Sequence, residues 1–228
     1  MSAAPRRPVP AARAQPARGV ERALARKREK YEDEVQRLTE AALDVMRARD
    51  TVDPKVSDIL ERASLSTAAL YRHFPTKDDL LLALIEGAGA NTRSFLAHRM
   101  GEVDDPTARI AAWITGMFGL VRDDELVAAN RPFLLSHPRL LERFPAEINA
   151  MVDRLIEPLA GAIVAARNDR AVSRAADPDG RHAALLVHHL VFGLLMDLAA
   201  QRSTSPPALI DDVVDHCLRA TLGPPIDP

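Results

Sequence analysis

Residues 59–86 read ILERASLSTAALYRHFPTKDDLLLALIE, and the helix starts and stops inside this run decide the fold. Val56, Ile59 and Leu60 share one face of a short helix expected to run from Asp53-Pro54 to Arg62, with Asp53 as N-cap acceptor and Pro54 presetting φ at the first helical position. The segment ASLS at 63–66 interrupts that pattern, and Ser66 can cap a new helix over 66–73 whose Leu70 and Phe74 lie four apart on the inner face. Pro75 stops it. Thr76, with Asp79 three residues on, is a capping-box pattern that leads into Leu80, Leu81, Leu84 and Ile85, so a further helix is expected over 76–100. Two helices joined by three or four residues make a helix-turn-helix candidate.

Outward from this run the helical period persists. Upstream, Val35, Leu38, Ala42, Val45 and Met46 recur at three- and four-residue steps and predict an amphipathic helix over 28–49. Downstream, helical patterns cover 106–122, 124–136, 138–168, 180–201 and 207–221, with a break expected at Ser136-His137-Pro138. No alternating strand pattern competes over a comparable length. The expected fold class is all-α, with a helix-turn-helix unit over 28–75, helix 76–100 as connector, and a larger helical unit over 101–228.

Composition sets the class of protein. The 228 residues are 47% apolar with a formal charge of −2, enough apolar material for a substantial core. The charge is unevenly placed: residues 1–30 hold nine Lys/Arg and two Glu, so a basic end sits on an acidic body. Residues 1–27 are expected to be a disordered basic arm, because MSAAPRRPVPAARAQPAR offers Pro, Ala and Arg but no large apolar set to pack. A solvated tail and an arm that follows a nucleic-acid backbone both fit this composition. Cys217 is alone and can form no internal disulfide, which suits a reducing cytosol. Residues 183–200 are the nearest approach to a membrane span, but they contain His188, His189 and Asp197 and read as a buried helix. The N-terminus lacks the apolar stretch of a signal peptide, so a cytoplasmic location is expected.

Off the Leu70/Phe74 face stand Thr67, Ala68, Tyr71 and Arg72, expected to point outward, with His73 beside them. In a helix-turn-helix, the second helix enters the major groove and flanking groups hold phosphates. Thr67 can bond a base or phosphate, Ala68 can approach a thymine methyl, Tyr71 and His73 can donate to phosphates, and Arg72 can reach a guanine edge. Lys77 would add charge to the positive end of the next helix. By spacing alone, a solvated polar helix satisfies the same pattern.

The run 59–86 also resembles the DNA-binding signature of the TetR (tetracycline-repressor-like) regulators, in which an Ala-Gly-Val-Ser turn leads to a Leu-Tyr-x-His-Phe helix and a Lys-Glu-x-Leu start. Leu70, Tyr71, His73, Phe74, Lys77 and Leu80 stand at matching positions. The resemblance implies that Tyr71, His73 and Lys77 hold the DNA backbone and that Thr67, Ala68 and Arg72 face the groove. Lys55, Ser57 and Ser66 complete the expected DNA-binding set. Ser64 departs from the usual turn glycine, and Ala68 and Ala69 replace a frequent Gly-Thr pair, which puts the sequence preference in doubt.

The same resemblance implies a homodimer whose larger domain encloses an effector and whose heads read a palindromic double-stranded operator, as a repressor and not an enzyme. From the residues themselves, AALLVHHLVFGLLMDLAA at 183–200 is apolar nearly all round and must be covered on several sides. Together with Leu209, Ile210, Val213, Val214, Cys217 and Leu218 it suits a dimer contact or a core. Trp113, Met117, Phe118, Phe133, Met151, Phe192 and Met196 are candidate walls for an apolar or amphipathic small-molecule effector, with Asn130, Arg131, His137 and His188 as polar candidates, or else they are plain core.

No cofactor or metal is expected. His188 and His189, the best metal candidates with His182 and Asp197, point about 100° apart on a helix. No nucleophile elbow, Gly-rich phosphate loop or paired carboxylate site is evident. The alternative is a helical small-molecule carrier or enzyme with a non-functional DNA-binding head.

Overall fold

The computed structural model describes residues 18–122, 124–172, 176–200 and 207–223. Among them it contains nine α-helices and no strand: α1 Arg18–Arg49, α2 Val56–Ala63, α3 Thr67–His73, α4 Lys77–Gly101, α5 Pro106–Gly119, α6 Asp124–Arg143, α7 Pro145–Asp169, α8 Arg181–Ala199 and α9 Pro207–Leu222. The all-α class is thereby met. The first 17 residues of the expected arm lie outside the described residues.

Three boundaries differ from expectation. α1 begins at Arg18, well before residue 28, because Ala, Leu, Arg, Lys and Glu dominate 21–30 and are strong helix formers. Arg28 to Glu32 (2.8 Å) and Lys30 to Glu34 (3.8 Å) add pairs one turn apart. The N-cap of α2 is Lys55, in extended conformation and without a side-chain cap bond, so Asp53 is not the capping acceptor. It pairs with Lys77 instead.

The expected break at Ser136-His137-Pro138 is absent, and α6 runs through both Pro132 and Pro138. A helix-interior proline forfeits a backbone hydrogen bond, and burial of Leu134 and Leu140 to either side holds the helix together here. The chain breaks later, at Phe144, which the following Pro145 excludes from the helical region (φ −133°, ψ 56°). Pro145 then opens α7 at a position where no amide is needed.

Two cores result. The first joins Leu38, Ala42 and Met46 of α1, Ile59 of α2, Leu70 and Phe74, and Leu80, Leu81, Leu84 and Ile85 of α4. The α6–α7 corner enters that core through Leu140, Phe144 and Ile148. The second, larger core gathers α4, α5, α7, α8 and α9 around Leu96, Ile110, Trp113, Ile114, Phe118, Leu159, Val191 and Leu195. α8 is long and apolar enough to cross a membrane by length and composition, yet it packs Ala184, Val187, Val191 and Leu195 into this core.

One buried ion pair fastens the far end of the body. Arg167 of α7 donates to the Asp177 carboxylate (3.1 Å), to the Asp177 carbonyl (2.9 Å) and to the Thr221 carbonyl near the end of α9 (3.1 Å). The same carboxylate accepts the amides of His182 and Ala183 at the start of α8. Burial pushes the Asp177 carboxyl up, but the two amides and Arg167 outweigh it and hold the group below the usual range.

Candidate nucleic-acid interface and effector chamber

The turn between α2 and α3 closes as the helix-turn-helix reading requires. Ser64 takes a left-handed conformation (φ 52°, ψ 44°), the one glycine adopts without strain. Its amide and that of Leu65 donate to Glu61 and Leu60 (both 3.2 Å). Arg37 of α1 supplies what the turn lacks by donating to the carbonyls of Ala63 (2.6 Å) and Ser64 (3.3 Å). Nothing in the local sequence announces this contact, because its partners are 26 residues apart. Ser66 then caps α3, accepting the Ala69 amide at 3.2 Å.

Along α3 and its flanks, Lys55, Ser57, Ser66, Thr67, Ala68, Tyr71 and Arg72 are exposed on the head. Ala69 is buried, so the second alanine of the departing pair belongs to the core and offers no outward group. His73 reverses its expected direction. Its ring is 1% exposed, and Nε2 lies 2.6 Å from the Glu34 carboxylate of α1, with the Tyr31 ring edge-on at 4.4 Å. Glu34 also accepts from Arg72 at 3.1 Å. The His73 bond is the main cause that holds the Glu34 carboxyl below its usual range, against burial and with help from Arg72 and Lys30.

Lys77 is placed at the start of α4 as expected, and the capping box there is complete: Asp79 donates its amide to Thr76 Oγ1 (3.1 Å), and the Thr76 amide donates to Asp79 (2.8 Å). The Lys77 ammonium, however, is engaged by Asp53. That bond is the largest cause of a lowered Asp53 carboxyl. A phosphate arriving here must share the lysine with a carboxylate.

In the body, a chamber of about 100 Å³ lies between α4, α5, α6, α7 and α8. Of the candidate walls, Met117, Phe133, His137, Met151 and Phe192 line it, as does Asn130. Trp113 and Phe118 do not: both are fully buried in the core behind, where the Trp113 indole donates to the Leu155 carbonyl at 3.3 Å. Met196 does not line it either. His188 stands one layer back, stacked on Phe192 at 5.4 Å, while His137 meets the same ring edge-on at 4.7 Å. Burial, then the neighbouring His189 and His137, push the His188 imidazole down to about 4, and burial also lowers His137. Burial thus disfavours charge on the His137 of the wall and on the His188 behind it.

Arg131 faces away from the chamber. It donates to Asp50 at the end of α1 (2.7 Å) and to the Ala199 carbonyl at the end of α8 (3.1 Å). Three turns along α6, about 18 Å, Arg143 pairs with Asp78 at the start of α4. α6 thus lines the chamber with Phe133, His137 and Leu140 and grips the head at two points. Among the described residues, no cluster of His, Cys, Asp and Glu suited to a metal ion is present.

These features define a class: an all-α protein with a helix-turn-helix head on a helical body that encloses an apolar chamber. Residues 38–84 match the bacterial regulatory proteins of the tetR family. Solved structures of that family share the fold. A fatty acid degradation regulator FadR from Bacillus halodurans superposes with a TM-score of 0.64 at 16% identity, over 81% of this chain and 94% of that one. A TetR-family transcriptional regulator from a Rhodococcus species gives 0.64 at 22% identity, over 82% and 96%. FadR from Thermus thermophilus, in complex with lauroyl-CoA, gives 0.58 at 19% identity, over 85% and 96%. No curated protein matches the sequence. Residues 38–84 thus carry the sequence of a tetR-family head, and the chain shares the fold of these regulators.

Proposed function

We propose that the protein is a homodimeric transcriptional repressor that leaves a palindromic operator when an apolar or amphipathic effector fills the chamber. The observation that carries this reading is the double role of α6, which forms chamber wall with Phe133, His137 and Leu140 and holds the head through Arg131–Asp50 and Arg143–Asp78. An effector that prefers a displaced α6 shifts both grips, and DNA affinity falls by the same factor by which DNA weakens the effector. The apolar lining favours an apolar or amphipathic molecule. The Thermus neighbour, which holds lauroyl-CoA, supports the same ligand class.

A second copy is supported by the α8 surface, where Leu186 and Leu190 are 72% and 40% exposed. Apolar side chains this open, on a helix whose other face packs into the core, suit a partner helix pair. On DNA, Thr67, Ala68, Tyr71 and Arg72 face the groove, while Lys55, Ser57 and Lys77 flank it and meet phosphates. His73 acts from behind, through Glu34 and Arg72.

A carrier or enzyme with a silent head is the competing reading, favoured by the intramolecular engagement of His73 and Lys77. The test is binding to DNA upstream of the protein's own gene, measured by fluorescence anisotropy across a salt series. A repressor binds a specific site with affinity that falls steeply with salt. Equal affinity for any duplex, or no loss when Tyr71 and Lys77 are both replaced by Ala, supports the silent head.

A further inference from the structure

Beside the chamber, on its α1 side, lies a second hollow, a groove of about 480 Å³ between α1, α4 and α6. Ala88, Thr92, Leu120, Asn130 and Phe133 line both spaces, and the thin zone they occupy between the two is termed the neck. The two compartments differ in chemistry. Inside the neck the wall is mostly Met, Leu, Ile and Phe side chains with His137 among them, whereas the groove adds Arg47, Thr39 and Asn91.

Arg47 is the cation of this groove, and its charge is weakly engaged. Its partner is Asp44 at 3.8 Å, one turn back on α1. That carboxylate is already held by Arg62, whose Nη2 and Nε reach the same oxygen at 2.6 and 3.0 Å. The Arg47 guanidinium therefore has donors to spare beside an apolar opening.

The chamber also has an adjustable wall. The Met151 side chain lies over Gly89, so close that a Cβ there would stand 2.7 Å from its thioether sulfur. Only glycine allows this seat, and an unbranched thioether can leave it for another rotamer. Withdrawal of Met151 enlarges the chamber without moving a helix.

We propose that chamber and groove are one bipartite site for an amphipathic organic anion, with an aliphatic tail inside the neck and a carboxylate or phosphate head in the groove at Arg47. The inference rests on the effector reading above and names the class of effector. A guanidinium recognises anionic oxygens by charge-assisted hydrogen bonds. It also gives the ligand a hold on the head itself: Arg47 belongs to α1, three residues before the Asp50 that Arg131 grips, while the neck residue Asn130 adjoins Arg131 on α6. A molecule spanning the neck bridges the two helices whose separation sets the head.

The experiment uses the full chain and three probes below their micellar concentrations: decanoate, decyl phosphate and methyl decanoate. Binding is read by the fluorescence of the single tryptophan, Trp113, whose indole meets His188 (6.3 Å), itself stacked on the chamber residue Phe192. Decanoate and decyl phosphate should bind about tenfold more tightly than the ester, the scale of one charge-assisted contact. Tighter binding of one anion than the other identifies the head group within the class. Arg47→Ala should remove the preference and leave ester affinity unchanged, and Arg47→Lys should restore part of it. Equal binding of acid and ester, a preference that survives Arg47→Ala, or no binding of any probe overturns the proposal. Each leaves the repressor reading intact if operator binding persists, whereas loss of specific operator binding by the free protein sinks that reading alone.

Discussion

The Nε2 atom of His73 sits 2.6 Å from the carboxylate of Glu34, and this one bond converts an expected DNA contact into an internal tie between the recognition helix and α1. Glu34 holds Arg72 as well, so it fixes both the tilt of α3 and the direction of its arginine. Replacing Glu34 with Ala should lower thermal stability and weaken specific operator binding while sparing the nonspecific component. Glu34→Gln, which keeps an acceptor for His73, should lose less of each. Anisotropy against specific and random duplexes separates the two effects. An unchanged specificity ratio in Glu34→Ala would show that the tie does not position the helix.

The left-handed Ser64 gives a prediction of opposite sign. A non-glycine residue in this region is strained by roughly 1–2 kcal/mol, and part of that is offset by Arg37 at the turn carbonyls. Ser64→Gly should therefore stabilise the protein by about 1 kcal/mol in denaturant titration, with DNA affinity unchanged. A loss of stability would mean that the serine hydroxyl supports the turn.

Acid should weaken the body through His188. Its folded value near 4 lies below the ordinary 6.5, so between these values the unfolded chain binds the extra proton and stability falls as pH drops. The full shift corresponds to about 3 kcal/mol, absent above pH 6.5 and complete below pH 4. His188→Leu should flatten stability over this window. A wild-type profile with no slope there would contradict the buried neutral imidazole.

At the opposite end of the body, the Arg167–Asp177 pair is 6% and 11% exposed and joins α7, α8 and α9. Removing one partner leaves a buried charge uncompensated, so Arg167→Ala should cost about 3–5 kcal/mol. Calorimetry checks it.

The helical surface should likewise report on assembly. If the exposed Leu186 and Leu190 form the proposed dimer face, Leu186→Glu combined with Leu190→Glu should give a folded monomer by sedimentation velocity, and affinity for the proposed palindromic operator should collapse because one head covers only half of it. A wild-type monomer in solution would refute the dimer.

Local signals carried most of the fold. The Thr76/Asp79 capping box, the Ser66 cap and the Leu70/Phe74 pair are all written within a few residues, and each stands where its spacing put it. The misreadings concern interactions between distant residues. Pro138 looked like a break because the packing of Leu134 and Leu140 cannot be read beside it. His73 looked outward because its partner lies 39 residues away on α1, and the tie of Lys77 to Asp53, 24 residues away, is equally absent from the local pattern. The chamber divides in the same way: bulky apolar residues were legible, but the side of the wall on which Met117 and Trp113 fall depends on how five helices meet.

In the proposed mechanism the chamber and the DNA-reading head are coupled through α6. Its most direct test is operator affinity measured with the chamber empty and with it saturated by decanoate, in the wild type and in Arg131→Ala with Arg143→Ala. Saturation should weaken wild-type DNA binding by about 5–150-fold, the usual range of allosteric coupling, and the double variant should lose most of that effect while still binding both ligands. Decanoate that binds the wild type yet leaves operator affinity unchanged would rule out coupling through α6.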